Sequence, residues 1–314
     1  MEVKEWTYEE IPAYEGRPEG VQVIESTGDE PGVAYLHDVE YANIDGTPLR
    51  LQILAPFSRN QHYPPMEGQA VNPLPCYVFV QGSAWMKQYV YMNVPALAKL
   101  ALRGYVCAIV EYRHSGIAPF PAQIKDARNA VRFLRKNAGA YAIDPEKIIM
   151  AGDSSGGHTA MWAGMLHDDD TGDNLYQGIS GDTCGVVNYY GSTSVMAPDS
   201  NPIQIAHCLP ESPEGMVMGG KNLLEHPELA RQLSVECNID GDTVLPPVLI
   251  FHGTKDRLVN CEGSAILYEQ LKKTGHPVDF YLIQGADHGG PEFWTDGVLD
   301  IVDGFCRKCF GDIQ

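Results

Sequence analysis

Apolar and polar positions change rhythm along this chain. The stretch "HDVEYANIDGTPLRLQILAP" alternates them on either side of Asp45-Gly46, which predicts two antiparallel strands joined by a tight turn. Beyond it the alternation gives way to short, unbroken apolar runs: "CYVFVQG", "YVCAIVEYR", "KIIMAGD", "CGVVNYYG", "PPVLIFHG" and "VDFYLIQG". Runs of this length and density are strands buried on both faces. Between them lie helix-like segments, "NVPALAKLALRG", "FPAQIKDARNAVRFLRKNAG", "SGGHTAMWAGML", "CEGSAILYEQLKKTG" and "PEFWTDGVLDIVDGFCRK". Strand and helix in repeated alternation predict an α/β fold with a mostly parallel central sheet flanked by helices. Residues 1–40 predict a polar N-terminal arm, and the polar loop "SRNQHYPPMEGQAVNPLP" follows the hairpin. Residues 193–240 depart from the rhythm, with "PDSNP" and "PESPEG" around a short helical piece. They predict an insertion or small cap within a single domain spanning 1–314, not a second domain.

One strand-to-helix junction stands out. "KIIM" runs into "AGDSSGGHTA", so the chain must reverse within a few residues. Gly152 and Gly156 flank Ser154 at two positions before and two after. Gly-x-Ser-x-Gly at such a turn is the nucleophile elbow, which lifts a serine hydroxyl clear of the sheet. Alone the match is only suggestive, because a glycine-rich turn or a phosphate-binding helix N-terminus reads the same way.

The elbow makes demands downstream that can be checked. Ligands of open α/β sheets sit at the carboxyl ends of strands. "PPVLIFHG" leads into "TKDRLV", which puts Asp256 in the following loop, and "VDFYLIQG" leads into "ADHGG", which puts His288 in the next. The order serine, acid, histidine is that of an elbow hydrolase. A serine hydroxyl is a weak nucleophile; an imidazole must take its proton, and a carboxylate must hold the imidazole tautomer. His158 and His252 are the rival bases; His158 is expected to pack, and His252 ends its strand before the acid loop. A tetrahedral oxyanion needs backbone N–H donors. The expected donors are the amide of Ser155, whose side chain has no expected part, and those of Ser83 and Ala84 in "FVQGSAWMK", where Gly82 permits a tight turn. Trp85 and Trp294, beside the catalytic loops, are the candidate substrate contacts.

These motifs resemble a known family. "GDSSGGH" is similar to the elbow of the hormone-sensitive-lipase-like esterases of the α/β-hydrolase superfamily, and "EYRHSGIAPFPAQIKDARNAVRFLRKNAGAYAIDPEKI" resembles the stretch that precedes it there. "SPEGMVMGGKNLLEHPELARQLS", "HGTKDRLV" and "GADHGGPEFW" look closest to the bacterial feruloyl or acetylxylan esterase-like branch. The resemblance covers roughly residues 35 to 310. It implies the α/β-hydrolase fold and ester hydrolysis without metal or organic cofactor. "VQGSAW" occupies the place of the family's "HGGGW": Gln81 replaces a histidine, and Ser83 and Ala84 replace glycines. Any of these positions that requires positive φ is then strained by ~1 kcal/mol or more.

Charge and cysteines narrow the partners. Net charge is −19, with 41 acidic against 22 basic residues, which argues against nucleic acid and anionic membrane. No apolar run approaches the ~18 residues of a membrane span. "MEVKEWTYEE" has neither a basic nor an apolar leader region, and the eight scattered cysteines suit a reducing compartment, so the expected location is cytoplasmic. Cys306-x-x-Cys309 has no second pair to complete a metal site. The expected partner is a small-molecule or oligosaccharide ester with a short acyl or hydroxycinnamoyl group, including acylated plant carbohydrate. The alternative is an amide hydrolase of arylformamidase or small-peptidase type using the same triad. A non-catalytic binder has no need to keep nucleophile, acid and base together.

Overall fold

The computed structural model describes residues 4–65, 72–166, 174–195 and 206–313. One eight-stranded sheet organises them, in the order β1-β2-β4-β3-β5-β6-β7-β8. The hairpin β1 (Gly32–Ile44) and β2 (Thr47–Phe57) is antiparallel and turns at Asp45 and Gly46, with φ of 51° and 82°. β1 begins at Gly32, inside the arm expected to extend to residue 40, because the strand pairs with β2 back to Gly32–Phe57. From β3 (Leu74–Val80) onward the strands β4 (Val106–Val110), β5 (Ile143–Asp153), β6 (Gly185–Tyr189), β7 (Val248–Gly253) and β8 (Val278–Ile283) run parallel.

The apolar runs are unbroken because both sheet faces are covered. In β3, Cys76, Val78 and Val80 face one core with α2 (Ala122–Lys136), α3 (Ser155–Met165) and α6 (Cys261–Lys273). Tyr77 and Phe79 face the other, with α1 (Val94–Ala101) and α7 (Asp296–Cys309). β8 differs from the buried strand its sequence suggests: at the sheet edge it leaves Tyr281 and Leu282 exposed. The expected last helix is interrupted as well. A short 3-10 turn, Pro291–Trp294, precedes α7, whose N-terminus the Thr295 hydroxyl caps by accepting from the Val298 amide.

Between β6 and β7 lie α4 (Pro213–Val217) and α5 (Pro227–Leu233). Val195, Val217, Leu223, Ala230 and Leu233 gather there around the buried Trp85. "PDSNP" and the rest of 196–205 lie outside the described residues. No described helix is long and apolar enough to cross a membrane. All eight cysteines are free thiols; burial pushes Cys309 up to about 12 and Cys306 well above its ordinary value. No group of three or more potential metal ligands occurs among the described residues.

Candidate active site

The turn from β5 into α3 forces Ser154 to φ 53°, ψ −126°, a conformation a side-chain-bearing residue adopts only under constraint. Its amide is tied to the Tyr189 carbonyl at 2.9 Å. A Cβ on Gly156 would run into the Val80 carbonyl, and one on Gly152 into Gly156, so the close approach of helix to strand needs both glycines.

At the ends of β7 and β8 the two predicted partners meet that serine. His288 Nε2 lies 2.9 Å from Ser154 Oγ, and His288 Nδ1 lies 2.7 Å from Asp256 Oδ2. Asp256 Oδ1 accepts from the amides of Leu258 and Val259 at 2.9 and 2.8 Å. With a carboxylate acceptor on Nδ1, that nitrogen carries the proton and Nε2 is left to accept from the serine hydroxyl. Burial works to raise the Asp256 carboxyl. Hydrogen bonds from His252 and His288 outweigh it and hold the group well below the ordinary carboxylate range. Arg257 and Asp287 tie the acid loop to the histidine loop, through the Arg257 amide at 3.1 Å and its Nε at 2.7 Å. Tyr190 packs edge-on against the His288 ring, centroids 4.8 Å apart.

The two rival histidines occupy other positions. His158 is buried with its ring edge-on to Trp85, and its Nε2 donates to the Leu233 carbonyl at 2.8 Å. Burial lowers its pKa to about 4, and Nδ1 has no acceptor among the described residues. The neutral ring is therefore the form the fold accommodates. His158 adds stability fully above the unfolded histidine value of ~6.5, and that contribution is lost as pH falls towards about 4. The expected loss is on the order of 2 kcal/mol. Urea unfolding of wild type and His158→Gln at pH 7 and 4.5 measures it; an equal pH dependence in both proteins would exclude this origin.

His252 is a neighbour that sequence reading did not assign. It is fully buried, with Nε2 3.0 Å from the Val259 carbonyl and 3.2 Å from Asp256 Oδ2. The Ser264 hydroxyl lies 2.7 Å from its Nδ1 and donates to it, which leaves the Nε2 proton facing the acid. The signal was available: His252 stands four residues before Asp256, at the end of the same strand.

The oxyanion assignment changes in one member. The Ser83 amide is engaged, donating to Ser155 Oγ at 2.9 Å, and the Ser83 hydroxyl is held by the Met86 carbonyl at 2.6 Å. The Ser155 side chain thus anchors the loop, contrary to the expectation that only its amide matters. The Ala84 amide has no partner among the described residues, and that of Ser155, first in α3, has no intrahelical acceptor. Ala84 and Trp85 both sit at positive φ, 55° and 53°; of the two, only Ala84 takes the place of a family glycine, a residue suited to that conformation. Gln81 stabilises this loop, donating to the Tyr89 carbonyl at 2.6 Å, as does the Gly82 amide, donating to Asp153 Oδ1 at 2.7 Å.

Ser154 and His288 open onto a cavity of about 370 Å³ also lined by Ala84, Trp85, Met92 and Tyr190. Trp85 is on its wall. Trp294 is not: it stacks on Tyr189 at 5.3 Å and packs against Phe79 beneath the sheet. The reason is the 3-10 turn after Gly290, which carries the tryptophan away from the histidine loop and into the core.

Comparison with known proteins agrees with this architecture. The BD-FAE family profile matches residues 63–271. The chain belongs to that family. It is an α/β-hydrolase of the hormone-sensitive-lipase-like group. Among curated relatives it is 27% identical to Esterase LipC of Mycobacterium tuberculosis, over 74% of this chain and 55% of that protein. It is 28% identical to the probable isoprenylcysteine alpha-carbonyl methylesterase ICME of Oryza sativa subsp. japonica, over 73% of this chain and 58% of that one. This BD-FAE chain thus spans between 55% and 58% of the length of these two relatives. A truncated carbohydrate esterase from gut microbiota superposes with a TM-score of 0.74 at 25% identity, covering 88% of this chain and 96% of that one. A propionate-bound thermophilic esterase of Thermogutta terrifontis shares the fold, with a TM-score of 0.64 at 23% identity over 90% and 94% of the two chains.

Proposed function

We propose that this BD-FAE protein is a serine carboxylic ester hydrolase acting on short-acyl esters, acylated carbohydrate among them. The observation that carries the reading is the relay at the cavity mouth, Asp256 Oδ2 to His288 Nδ1 at 2.7 Å and His288 Nε2 to Ser154 Oγ at 2.9 Å. In this reading Ser154 Oγ attacks the ester carbonyl carbon as His288 Nε2 takes its proton. The carbonyl oxygen becomes an oxyanion held by the Ala84 and Ser155 amides. Collapse breaks the carbon–oxygen bond to the alcohol, which leaves with the proton from His288, and an acyl-enzyme remains on Ser154. Water then attacks that acyl carbon with His288 again as base, and the carboxylic acid departs. Asp256 stays ionised throughout, holding Nδ1–H and stabilising the transient imidazolium.

The esterase names among the relatives support this chemistry, and the cavity supports the short acyl group. About 370 Å³ takes an acetyl or butyryl ester but does not enclose a sixteen-carbon chain with its alcohol. The net charge of −19 offers no attraction to an anionic lipid surface. Expected kcat/KM therefore falls in the order p-nitrophenyl acetate, butyrate, palmitate, by tenfold or more between the first and last. A palmitate value above acetate would overturn the chain-length reading. N-formylkynurenine hydrolysed tenfold better than every ester would favour the amide hydrolase, since tenfold corresponds to about 1.4 kcal/mol at the transition state.

A further inference from the structure

Tyr112, two residues beyond β4, reaches the oxyanion loop from behind. It is 3% exposed and is not on the cavity wall, whereas Ser83, Ala84 and Ser155 are. Its hydroxyl lies 3.0 Å from Ser83 Oγ and 3.3 Å from Ser155 Oγ. The proton count admits one arrangement of these groups. The Met86 carbonyl can only accept, so the Ser83 hydroxyl donates to it at 2.6 Å and has no proton left for Tyr112. Tyr112 therefore donates to Ser83 Oγ, and the Ser155 hydroxyl donates to Tyr112. Ser155 Oγ in turn accepts from the Ser83 amide at 2.9 Å, which closes a ring running in one direction. Burial pushes the Tyr112 phenol up to about 12, so it keeps its proton at neutral pH. Hydrogen bonds arranged head to tail polarise and strengthen one another.

Ala84 and Trp85, next along the chain, hold φ of 55° and 53°, and residues with side chains keep such conformations only when their surroundings over-determine them. The ring fixes Ser83 on one side of this strained pair. On the other, the Ser115 amide donates to the Trp85 carbonyl at 2.8 Å. Tyr112 is itself tied down. Its amide donates to Gln88 Oε1 at 2.8 Å, and Gln88 Nε2 donates to the Gln81 carbonyl, also at 2.8 Å. We propose that Tyr112 is a positioning residue for the oxyanion hole, its hydroxyl closing the ring that holds the Ala84 amide where the oxyanion forms. The inference rests on the ester-hydrolase reading and adds to it a residue that acts through Ser83 and Ser155, without touching the substrate.

Tyr112→Phe removes the hydroxyl alone. Its kcat on p-nitrophenyl acetate is expected to fall about tenfold to a hundredfold, short of the roughly 10²–10³ lost when an oxyanion donor is deleted outright. Acylation and deacylation each pass through an oxyanion, so both slow together and KM should stay within about twofold. Affinity for 1,1,1-trifluoro-2-butanone should weaken by a similar factor, because its carbonyl carbon bonds to Ser154 Oγ as the serine proton passes to His288. Affinity for 2-butanone should not change. Tyr77→Phe is the control for stability alone: it removes a buried hydroxyl 3.1 Å from that of Tyr189, in the core on the other face of the sheet. It should lower the melting temperature comparably and keep kcat within about twofold. Should Tyr112→Phe not fold, Ser155→Ala opens the ring at the next hydroxyl and is expected to show the same fall in kcat. Undiminished kcat in either folded variant, or an equal loss in Tyr77→Phe, would overturn the positioning role and leave the hydrolase reading intact. Amide hydrogen exchange reads the ring without turnover. Exchange at Ser83 should quicken about tenfold in Tyr112→Phe, while that at Gly82, which donates to Asp153 Oδ1, should hold. Unchanged exchange at Ser83 overturns the ring even if no ester is hydrolysed.

Discussion

Replacing Ser154 with alanine is expected to lower kcat by on the order of 10⁶ while leaving the protein folded, the loss typical of removing a nucleophile that works as one unit with its base. The alanine removes Oγ, which lies 2.9 Å from His288 Nε2, but not the hydrogen bond from the residue 154 amide to the Tyr189 carbonyl or the glycines that let α3 approach β3. The strained φ of 53° remains, now on a smaller residue, so thermal unfolding should shift little. The check is purified Ser154→Ala assayed on p-nitrophenyl acetate, with circular dichroism to confirm folding. A folded variant keeping a tenth of wild-type kcat, with contaminating esterase excluded by active-site titration, would remove Ser154 from the mechanism.

What could be read in the sequence was whatever local pattern dictates. The core strands were visible because a sheet covered on both faces demands apolar residues at every position, as in "CYVFV" and "VCAIV". Ser154, Asp256 and His288 were legible for a related reason: each follows directly from a strand end, and strand ends of a parallel sheet converge. Residues whose roles depend on contacts across the sheet escaped. Ser155 was expected to offer its amide alone, yet its hydroxyl reaches across 72 positions to hold Ser83. Trp294 was expected at the substrate because it follows the histidine loop, and one 3-10 turn buries it on Tyr189 instead. β8 carries the same apolar run as its neighbours but lies at an edge, where sheet order and not local pattern decides exposure. Glu214 sits in a segment whose polar turns read as surface, and only the packed segment shows its carboxyl buried beside the cavity.

The surroundings of the acid make a second substitution nearly as damaging as loss of the nucleophile. Asp256→Asn is expected to reduce kcat by on the order of 10⁴, the effect of forcing the proposed catalytic histidine into the wrong tautomer. The structure determines which way the new amide must face. Oδ1 accepts from two backbone amides, Leu258 and Val259, at 2.9 and 2.8 Å, and only an oxygen satisfies both. The asparagine oxygen therefore takes that place and its N–H₂ takes the place of Oδ2. There it meets His288 Nδ1, formerly 2.7 Å from a carboxylate oxygen, and His252 Nε2, formerly 3.2 Å away. To avoid opposing donors, His288 must carry its proton on Nε2 and turn an unprotonated Nδ1 to the amide. Protonated Nε2 cannot take the proton of Ser154, so the proposed nucleophile and base are both present but mismatched. His252 gives no relief: the Ser264 hydroxyl at 2.7 Å keeps its Nδ1 an acceptor and its Nε2 proton towards the acid. Steady-state kinetics on p-nitrophenyl acetate measure the loss, and imidazole nitrogen chemical shifts in ¹⁵N-histidine-labelled protein report the tautomer directly. The expected pattern is a protonated Nε2 in the variant and a protonated Nδ1 in wild type. Unchanged kcat with an unchanged tautomer would show that Asp256 neither orients His288 nor stabilises its charged form.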